Sequence, residues 1–222
     1  MQRYFYDWRD NGILLQIKHA LVMAARELEG REASPSAGVI DSRCVKTTES
    51  GGDCGFDAPL GGASLACRVM GKKIKGRKRH IITDTIGFLI GFVIQSAGIQ
   101  DRDSPVHVLK SIRRTYPWLR HIFADGSYAG PKLRGRLEKI GSWTMKIVKQ
   151  SDKAKGFEII PRRWVVERTF EWLGSLTAFA CKLLLGSGCR RLAKDWEKSI
   201  LSAESWLLIA HIKLVTKRIA RH

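Results

Sequence analysis

Apolar side chains recur along the chain at both helical and extended spacings. Residues 13–29 place them three and four positions apart, from Ile13 to Leu28, which predicts an amphipathic helix that stops near Gly30. The most apolar stretch, 200–219, is interrupted by charged side chains. It therefore predicts a helix that faces a protein core rather than one that spans a membrane.

The pattern between these helices alternates strands with helices. It first predicts a strand ending near Asp41, followed by strands at 80–83 and 88–94 that are joined by a turn at 84–87. A helix is then predicted to start within 101–105 and to run to about 116. The remaining predicted elements are a strand at 121–124, a helix at 131–140, a strand at 143–148 and a helix after Pro161. Residues 49–71 lack periodicity and are rich in glycine, which predicts a loop. This order indicates an α/β domain with a mixed sheet and helices on its faces.

Composition adds a strong positive charge to this picture. The chain has 222 residues with 44% apolar content, and its 39 Lys and Arg against 21 Asp and Glu give a formal net charge of +18. This balance favours an anionic polymer as partner, although an effect on solubility alone stays open. The five cysteines form no C-x-x-C pair, and the N-terminus lacks the apolar stretch of a signal peptide. Both observations predict a cytoplasmic protein.

Three acidic residues stand where a metal-dependent phosphodiester enzyme needs them. Asp41 and Asp125 each end an apolar run, and Glu167 lies within a predicted helix. Carboxylates from strand ends and a helix can converge on a pair of magnesium ions. The alternative is structural, because aspartates cap turns and helical glutamates face solvent. Asp84, by contrast, fits the predicted hairpin turn.

Two basic regions are candidate DNA-binding surfaces. The first is a run with six basic residues, Lys72, Lys73, Lys75, Arg77, Lys78 and Arg79, which predicts contacts with nucleic-acid phosphates. The second surrounds Glu167 and includes Arg163 and Arg168. Arg163 precedes Glu167 by one helical turn, so it either contacts a phosphate, orients the glutamate, or forms an ordinary surface pair. Basic runs also occur in nuclear-localisation signals and ribosomal tails, so this motif alone is weak.

Several blocks of the chain resemble bacterial insertion-sequence transposases of the IS-five-like group. The similar blocks occur in order along the chain and are Ser34–Ser42, Gly71–Asp84, Phe123–Gly130, Pro161–Phe170 with its Arg-x-x-x-Glu spacing, Arg190–Glu197 and the helix at 202–219. Together they cover most of the sequence.

This resemblance implies a ribonuclease-H-like fold and a DDE triad of Asp41, Asp125 and Glu167, with Arg163 as the family's arginine beside the glutamate. It implies two Mg²⁺ ions as cofactors, for which Mn²⁺ can substitute. It also implies hydrolysis at transposon ends, followed by attack of the freed 3′ hydroxyl on target DNA. The expected partner is double-stranded DNA in a bacterial, nucleoid-associated setting without a membrane, and a homodimer is one option for the assembly.

The chain departs from the family pattern in several places. Arg43 and Cys44 stand where the family commonly has glutamine and serine. Family members carry a further N-terminal helical segment, so residues 1–32 are predicted to be the helical remnant of a truncated chain and 33–222 the catalytic domain. Residues 59–70 and 175–188 are predicted insertions. These departures leave open either an active DNA transposase or a catalytically inactive remnant that only binds DNA. A ribosome-associated or RNA-binding protein is a weaker alternative, because its charge would not need three carboxylates at such positions.

Overall fold

The computed structural model describes residues 2–47, 52, 54–56, 75–99, 104–148, 164–173, 194–195 and 197–222. The helices are α1 (Gln2–Asp10), α2 (Ile13–Leu28), α3 (Ser104–Ile112), α4 (Pro131–Glu138), α5 (164–173) and α6 (Ile200–Ile219). The strands are β1 (Ala37–Thr47), β2 (Gly55–Phe56), β3 (Lys75–Asp84), β4 (Leu89–Ser96), β5 (His121–Ala124), β6 (Thr144–Ile147) and β7 (Lys194–Asp195). The predicted insertions at 59–70 and 175–188 lie outside the described residues, as do Lys72, Lys73 and Arg163.

A long central strand, β1, organises the sheet. One edge of β1 pairs antiparallel with β3, which in turn pairs antiparallel with β4. The other edge runs parallel to β5 at its start and to β7 at its end, and β5 pairs in parallel with β6. The strand order β4-β3-β1-β5-β6 joins an antiparallel half to a parallel half. The predicted α/β fold, a mixed sheet flanked by helices, is thus confirmed.

The sheet separates two hydrophobic cores. One contains Ile40 and Ile122 from the central strands, together with apolar residues of α2, α3 and α4. The other contains Val39 and Phe123, together with apolar residues of α5 and α6. Because side chains alternate between the faces of a strand, α5 covers the face to which the odd-numbered residues of β1 and β5 point.

The N-terminal helix α2 belongs to the first of these cores. Its Val22 and Ala25 are buried in the same cluster as Ile40. The helix ends where Gly30 adopts a left-handed conformation at φ 67°, and the amides of Gly30 and Arg31 donate to the last helical carbonyls. The helix predicted at 13–29 is therefore confirmed, and it packs directly against the sheet.

The C-terminal helix α6 confirms the prediction of a core-facing helix at 200–219. The Ser199 side chain accepts a hydrogen bond from the Ser202 amide at the helix start, which satisfies one of the unpaired amides there. Its buried Leu207 and Val215 lie in the two different cores. Along the described ranges, no helix combines the length and the apolar character needed to cross a membrane.

Three predicted boundaries were wrong. The first strand does not end near Asp41 but continues to Thr47, because β3 pairs with it as far as Lys46. For the same reason β3 begins at Lys75, so most of the basic run is strand. The helix predicted to reach residue 116 ends at Ile112. Interstrand pairing between distant segments decided the first two boundaries, and local sequence patterns do not report such pairing.

Lys18 of α2 is buried against the sheet and supplies a testable pH dependence. Its ammonium group donates to the Ile90 carbonyl at 2.8 Å and lies 5.6 Å from the centre of the Tyr116 ring. Burial lowers the pKa of Lys18 from 10.5 to about 8. Between these two values the unfolded chain binds more protons than the folded chain, so folding becomes more favourable as the pH rises.

Relative to Lys18→Met, the wild type should therefore gain roughly 3 kcal/mol of unfolding free energy between pH 8 and pH 10.5. Urea unfolding at both pH values, followed by circular dichroism, measures the difference for each protein. Subtracting the change in unfolding free energy of the variant from that of the wild type removes the effect of the other titrating groups. Identical pH dependence in the two proteins would show that Lys18 is not held in this environment.

Candidate active site

Asp41 and Asp125 lie on adjacent parallel strands. β1 and β5 pair Ala37 with His121 and Val39 with Phe123. The backbone of Asp125 remains extended, at φ −79° and ψ 178°. If the register is continued by two residues, Asp41 therefore lies level with Asp125. Both aspartates follow residues of the second core by two positions, so their side chains point to the face covered by α5. Asp41 lies within its strand, whereas Asp125 directly follows its strand.

Local hydrogen bonds orient both carboxylates. Asp41 is only 8% exposed, and its Oδ1 accepts from the Ser42 amide at 2.8 Å. Asp125 is half-buried and caps a short 3₁₀ turn (Gly126–Tyr128), in which its Oδ1 accepts from the Ser127 amide at 2.9 Å and from the Ser127 hydroxyl. A carboxylate fixed in this way loses little further conformational entropy when it acquires a ligand.

Helix α5 carries Glu167 across the same face of the sheet. Its Val166 and Phe170 are buried with Val39 in the second core, while Glu167 is exposed on the flank beside them. One turn later, Glu171 forms an ion pair with Arg43 of β1 at 2.6 Å. Arg43 is two residues after Asp41 in β1, so the two side chains point to the same face of the sheet. The flank of α5 that bears Glu167 is therefore the one directed toward β1.

The turn between β3 and β4 anchors the other side of α5. The Thr169 hydroxyl lies 3.0 Å from the carbonyl oxygens of both Gly87 and Val165, so its proton is shared between the turn and its own helix. Arg168 donates to the Ile86 carbonyl at 3.4 Å. Gly87 has φ 101°, a conformation that favours glycine. Contacts with this turn and the burial of Val166 and Phe170 fix the rotation of the helix, and thus the side on which Glu167 emerges. The exposed pair between Arg43 and Glu171 marks the opposite flank but contributes little to holding it.

The donor atoms of the predicted triad suit magnesium, although the three side chains are not clustered. Asp and Glu oxygens are the hard ligands that Mg²⁺ prefers. Within the part of the chain that the structure describes, no three acidic, imidazole or thiol side chains are grouped closely enough to hold a metal ion. The structure brings Asp41 level with Asp125 and leaves Glu167 on the overlying helix, where an exposed side chain can change rotamer.

Most of the described basic run does not face solvent. Arg77 is fully buried, where it forms an ion pair with Asp195 at 3.3 Å and donates to the Glu197 and Lys198 carbonyls. Arg79 is 7% exposed and Lys78 4% exposed. The prediction that these three side chains contact DNA phosphates is therefore corrected, because all three are buried, and the Asp195 carboxylate lies 3.3 Å from Arg77 and 3.9 Å from Arg79.

The other predicted DNA-binding residues differ in their surroundings. Lys75 is exposed at the start of β3. Arg168 is half-buried, with its guanidinium 4.3 Å from the ring centre of Trp164 and 4.4 Å from that of Trp172. These two rings therefore pack on an arginine of their own helix, which is a structural use of both the cation and the aromatic side chains.

Sequence reasoning missed two features outside the predicted triad. The first is the ion pair that Arg43 of β1 forms with Glu171 of α5; in the sequence Arg43 was noted only as a departure from the family pattern. The second feature is a groove between α4 and β6. Arg134 is the basic residue of its lining, and a single arginine did not stand out as a charged run.

Comparison with known proteins places this arrangement in a family. The sequence model of the family described as "Transposase DDE domain" matches residues 32–212, which is most of the chain. The chain belongs to that family. The match spans the strands that carry Asp41 and Asp125 and the helix that carries Glu167. No curated protein matches this transposase domain.

Solved structures similar to this transposase domain are distant in sequence. The simian T-cell lymphotropic virus intasome, in complex with PP2A regulatory subunit B56 gamma, is 12% identical with a TM-score of 0.43, over 78% of this chain and 48% of that chain. The Mos1 mariner paired end complex with Mn is 12% identical with a TM-score of 0.38, over 94% of this chain and 60% of that chain. The chain thus spans about half to three-fifths of the length of these proteins.

Proposed function

We propose that this protein is a DNA transposase that cleaves strands at transposon ends and joins them to target DNA. The observation that carries the proposal is the level position of Asp41 and Asp125 on one sheet face, beneath a helix that bears Glu167, in a chain of the transposase DDE domain family. In this proposal the three carboxylates form the catalytic site. Membership of the transposase DDE domain family supports the assignment of these three carboxylates to the catalytic site.

Asp41, Asp125 and Glu167 would hold two Mg²⁺ ions, or Mn²⁺ in their place. When bound, such ions activate the attacking oxygen and stabilise the leaving oxygen of a phosphodiester. Asp41 and Asp125 provide oriented oxygens from the rigid sheet, and Ser127 keeps the Asp125 carboxylate in place. Glu167 closes the site from the helix, since its exposed side chain can turn toward the two aspartates.

The DNA would lie over the carboxyl end of β5, where Asp125 emerges. Ligands of open α/β sheets bind in this position because loops there leave a crevice outside the strand ends. The net charge of +18 favours a polyanion, and the exposed Lys75 stays a candidate phosphate contact. The homodimer remains a prediction for the assembly that binds two DNA ends.

A nicking assay with the purified full chain tests this function. The substrate is a supercoiled plasmid that carries the DNA flanking the coding sequence on both sides. We expect conversion to nicked circles in Mg²⁺ or Mn²⁺ and none in EDTA. Gel-shift binding to the same DNA, with no cleavage in either metal, would overturn the proposal and identify an inactive remnant that only binds DNA.

A further inference from the structure

Arg43 lies on the same face of the sheet as the proposed catalytic site. It is two residues after Asp41 in β1, so the two Cα atoms are about 7 Å apart and both side chains point toward α5. Strand β5 ends at Ala124, whereas β1 continues to Thr47. Arg43 therefore stands beyond the end of the β1–β5 pairing, in the part of the sheet over which the DNA is proposed to lie.

The contacts of Arg43 leave its guanidinium group accessible to a further ligand. The side chain is 42% exposed, and its Nη2 donates at 2.6 Å to Glu171, whose side chain is 69% exposed. The guanidinium carries five N–H groups, so donors remain for a second acceptor. An ion pair this exposed contributes little to stability, and Glu171 can therefore be exchanged for a stronger acceptor without disturbing the fold.

The same ion pair places the Arg43 guanidinium one helical turn from Glu167. Glu171 follows Glu167 by four residues in α5, a rise of about 6 Å along the helix. Arg43 is displaced from Asp41 along β1 by a similar distance. The guanidinium therefore lies beside the three carboxylates rather than among them, at a separation comparable with that of neighbouring phosphates in a DNA strand.

The neighbour of Arg43 across the sheet adds to the positive charge there. This neighbour is Arg79 of β3, which pairs with Arg43 and points to the same face. Arg79 is buried, and its ion-pair partner Asp195 lies 3.9 Å away, too far for a hydrogen bond and closer to Arg77. The charge of Arg79 is thus incompletely compensated, and burial reduces its screening by solvent. The resulting field favours an anion at the Arg43 guanidinium.

We propose that Arg43 binds a phosphate of the DNA strand next to the phosphate at the catalytic site, and that this phosphate takes the place of Glu171. A guanidinium matches a phosphate through two parallel N–H···O bonds, which are stronger than a contact with one exposed carboxylate oxygen. The contact fixes the register of the strand but reads no base. This inference rests on the proposed function, because it takes DNA to be the substrate at Asp41 and Asp125.

The affinity of the full chain for a fluorescently labelled duplex, measured by anisotropy, tests this contact. The duplex carries the DNA that flanks the coding sequence, and Ca²⁺ replaces Mg²⁺ so that binding is measured without cleavage. Arg43→Gln should weaken binding about tenfold, in line with the loss of a charge-assisted phosphate contact. It should also reduce the slope of log affinity against log salt concentration by about 1. Arg43→Lys should restore the slope but only part of the affinity, because an ammonium group lacks the planar fork.

Glu171→Gln is the matched control for the ion pair. It breaks the same Arg43–Glu171 contact but leaves the guanidinium in place, so the affinity for the duplex should stay within about threefold of that of the wild type. Circular dichroism and urea unfolding check that each variant is folded and equally stable. If Glu171→Gln weakened binding as much as Arg43→Gln, the ion pair itself would be what binding requires, and the inference would be wrong.

Arg120→Gln is the control for the loss of one positive charge. Arg120 is exposed just before β5, at the opposite end of that strand from Asp125, and it forms no ion pair with any residue that the structure describes. Its replacement should weaken binding less than about threefold. Equal weakening by Arg43→Gln and Arg120→Gln would mean that the DNA responds only to net charge, which would overturn the inference.

Failure of this inference is distinguishable from failure of the proposed function. Binding in Ca²⁺ requires no cleavage. A loss of affinity specific to Arg43→Gln, in a protein that never nicks DNA, would therefore overturn only the transposase proposal. Plasmid nicking in Mg²⁺ by the wild type, together with unchanged DNA affinity in Arg43→Gln, would overturn only the assignment of Arg43.

Discussion

Asp125→Asn is expected to reduce Mg²⁺-dependent nicking at least about a thousandfold, a loss of roughly 4 kcal/mol of transition-state stabilisation. The substitution keeps the shape of the side chain and an oxygen that can still accept from Ser127, so the 3₁₀ turn should persist. It removes the negative charge that a divalent cation needs. Plasmid nicking measures the rate, and gel shift should show unchanged affinity for DNA.

Asp41→Asn and Glu167→Gln are expected to give losses of similar size. Glu171→Gln is the matched control, because Glu171 lies one turn after Glu167 on the same flank of α5. Its ion pair with Arg43 is largely exposed and therefore contributes little to stability, so nicking should stay within about threefold of the wild type. Full nicking by Glu167→Gln would remove that residue from the site, and equal losses in both glutamate variants would point to a structural role for the flank.

Local chemistry was sufficient to predict the parts of the fold whose signals lie within one segment. The spacing of apolar residues in α2 and the glycine at position 30 define that helix without help from the rest of the chain. The run before Asp125 gave strand β5 at 121–124, because a short apolar run followed by turn residues reads as a buried strand. Asp84 was likewise predicted as a turn residue, and its side chain accepts from amides of the β3–β4 turn.

Whether the side chains of the basic run are buried or exposed could not be predicted in this way. A cluster of cations has the same sequence pattern whether it faces DNA or pairs with a distant acid. Asp195 lies far along the chain from Arg77, yet the two buried side chains form an ion pair, which keeps Arg77 away from solvent. Burial of a charge is stable only when a partner is present, and the partner is a property of the tertiary fold.

The sequence pattern locates a candidate site residue when that residue directly follows a strand. Asp125 does so, whereas Asp41 lies within β1, because β3 continues beyond the end of the β1–β5 pairing. The groove between α4 and β6 was not predictable, since it depends on the space between two separate segments rather than on any motif.

Asp84→Ala is expected to lower the free energy of unfolding by about 3–5 kcal/mol, the usual cost of removing one partner from a buried ion pair. Asp84 is fully buried, accepts hydrogen bonds from the Gly87 and Phe88 amides at 2.8 Å each, and pairs with the guanidinium of Arg26. Its loss leaves that buried cation without a carboxylate and the turn amides without an acceptor. Urea unfolding followed by circular dichroism measures the change.

The same turn anchors α5, so Asp84 links stability to the active site. Thr169→Val tests this link without threatening the fold, because it removes only the hydroxyl that donates to Gly87, at a cost of about 1–3 kcal/mol. If the turn sets the position of Glu167, Thr169→Val should slow nicking while DNA affinity is unchanged. Asp10→Ala, which removes an exposed pair with Arg9, should alter neither stability nor nicking. Normal nicking by folded Thr169→Val would mean that the core residues of α5 suffice to hold the helix in place.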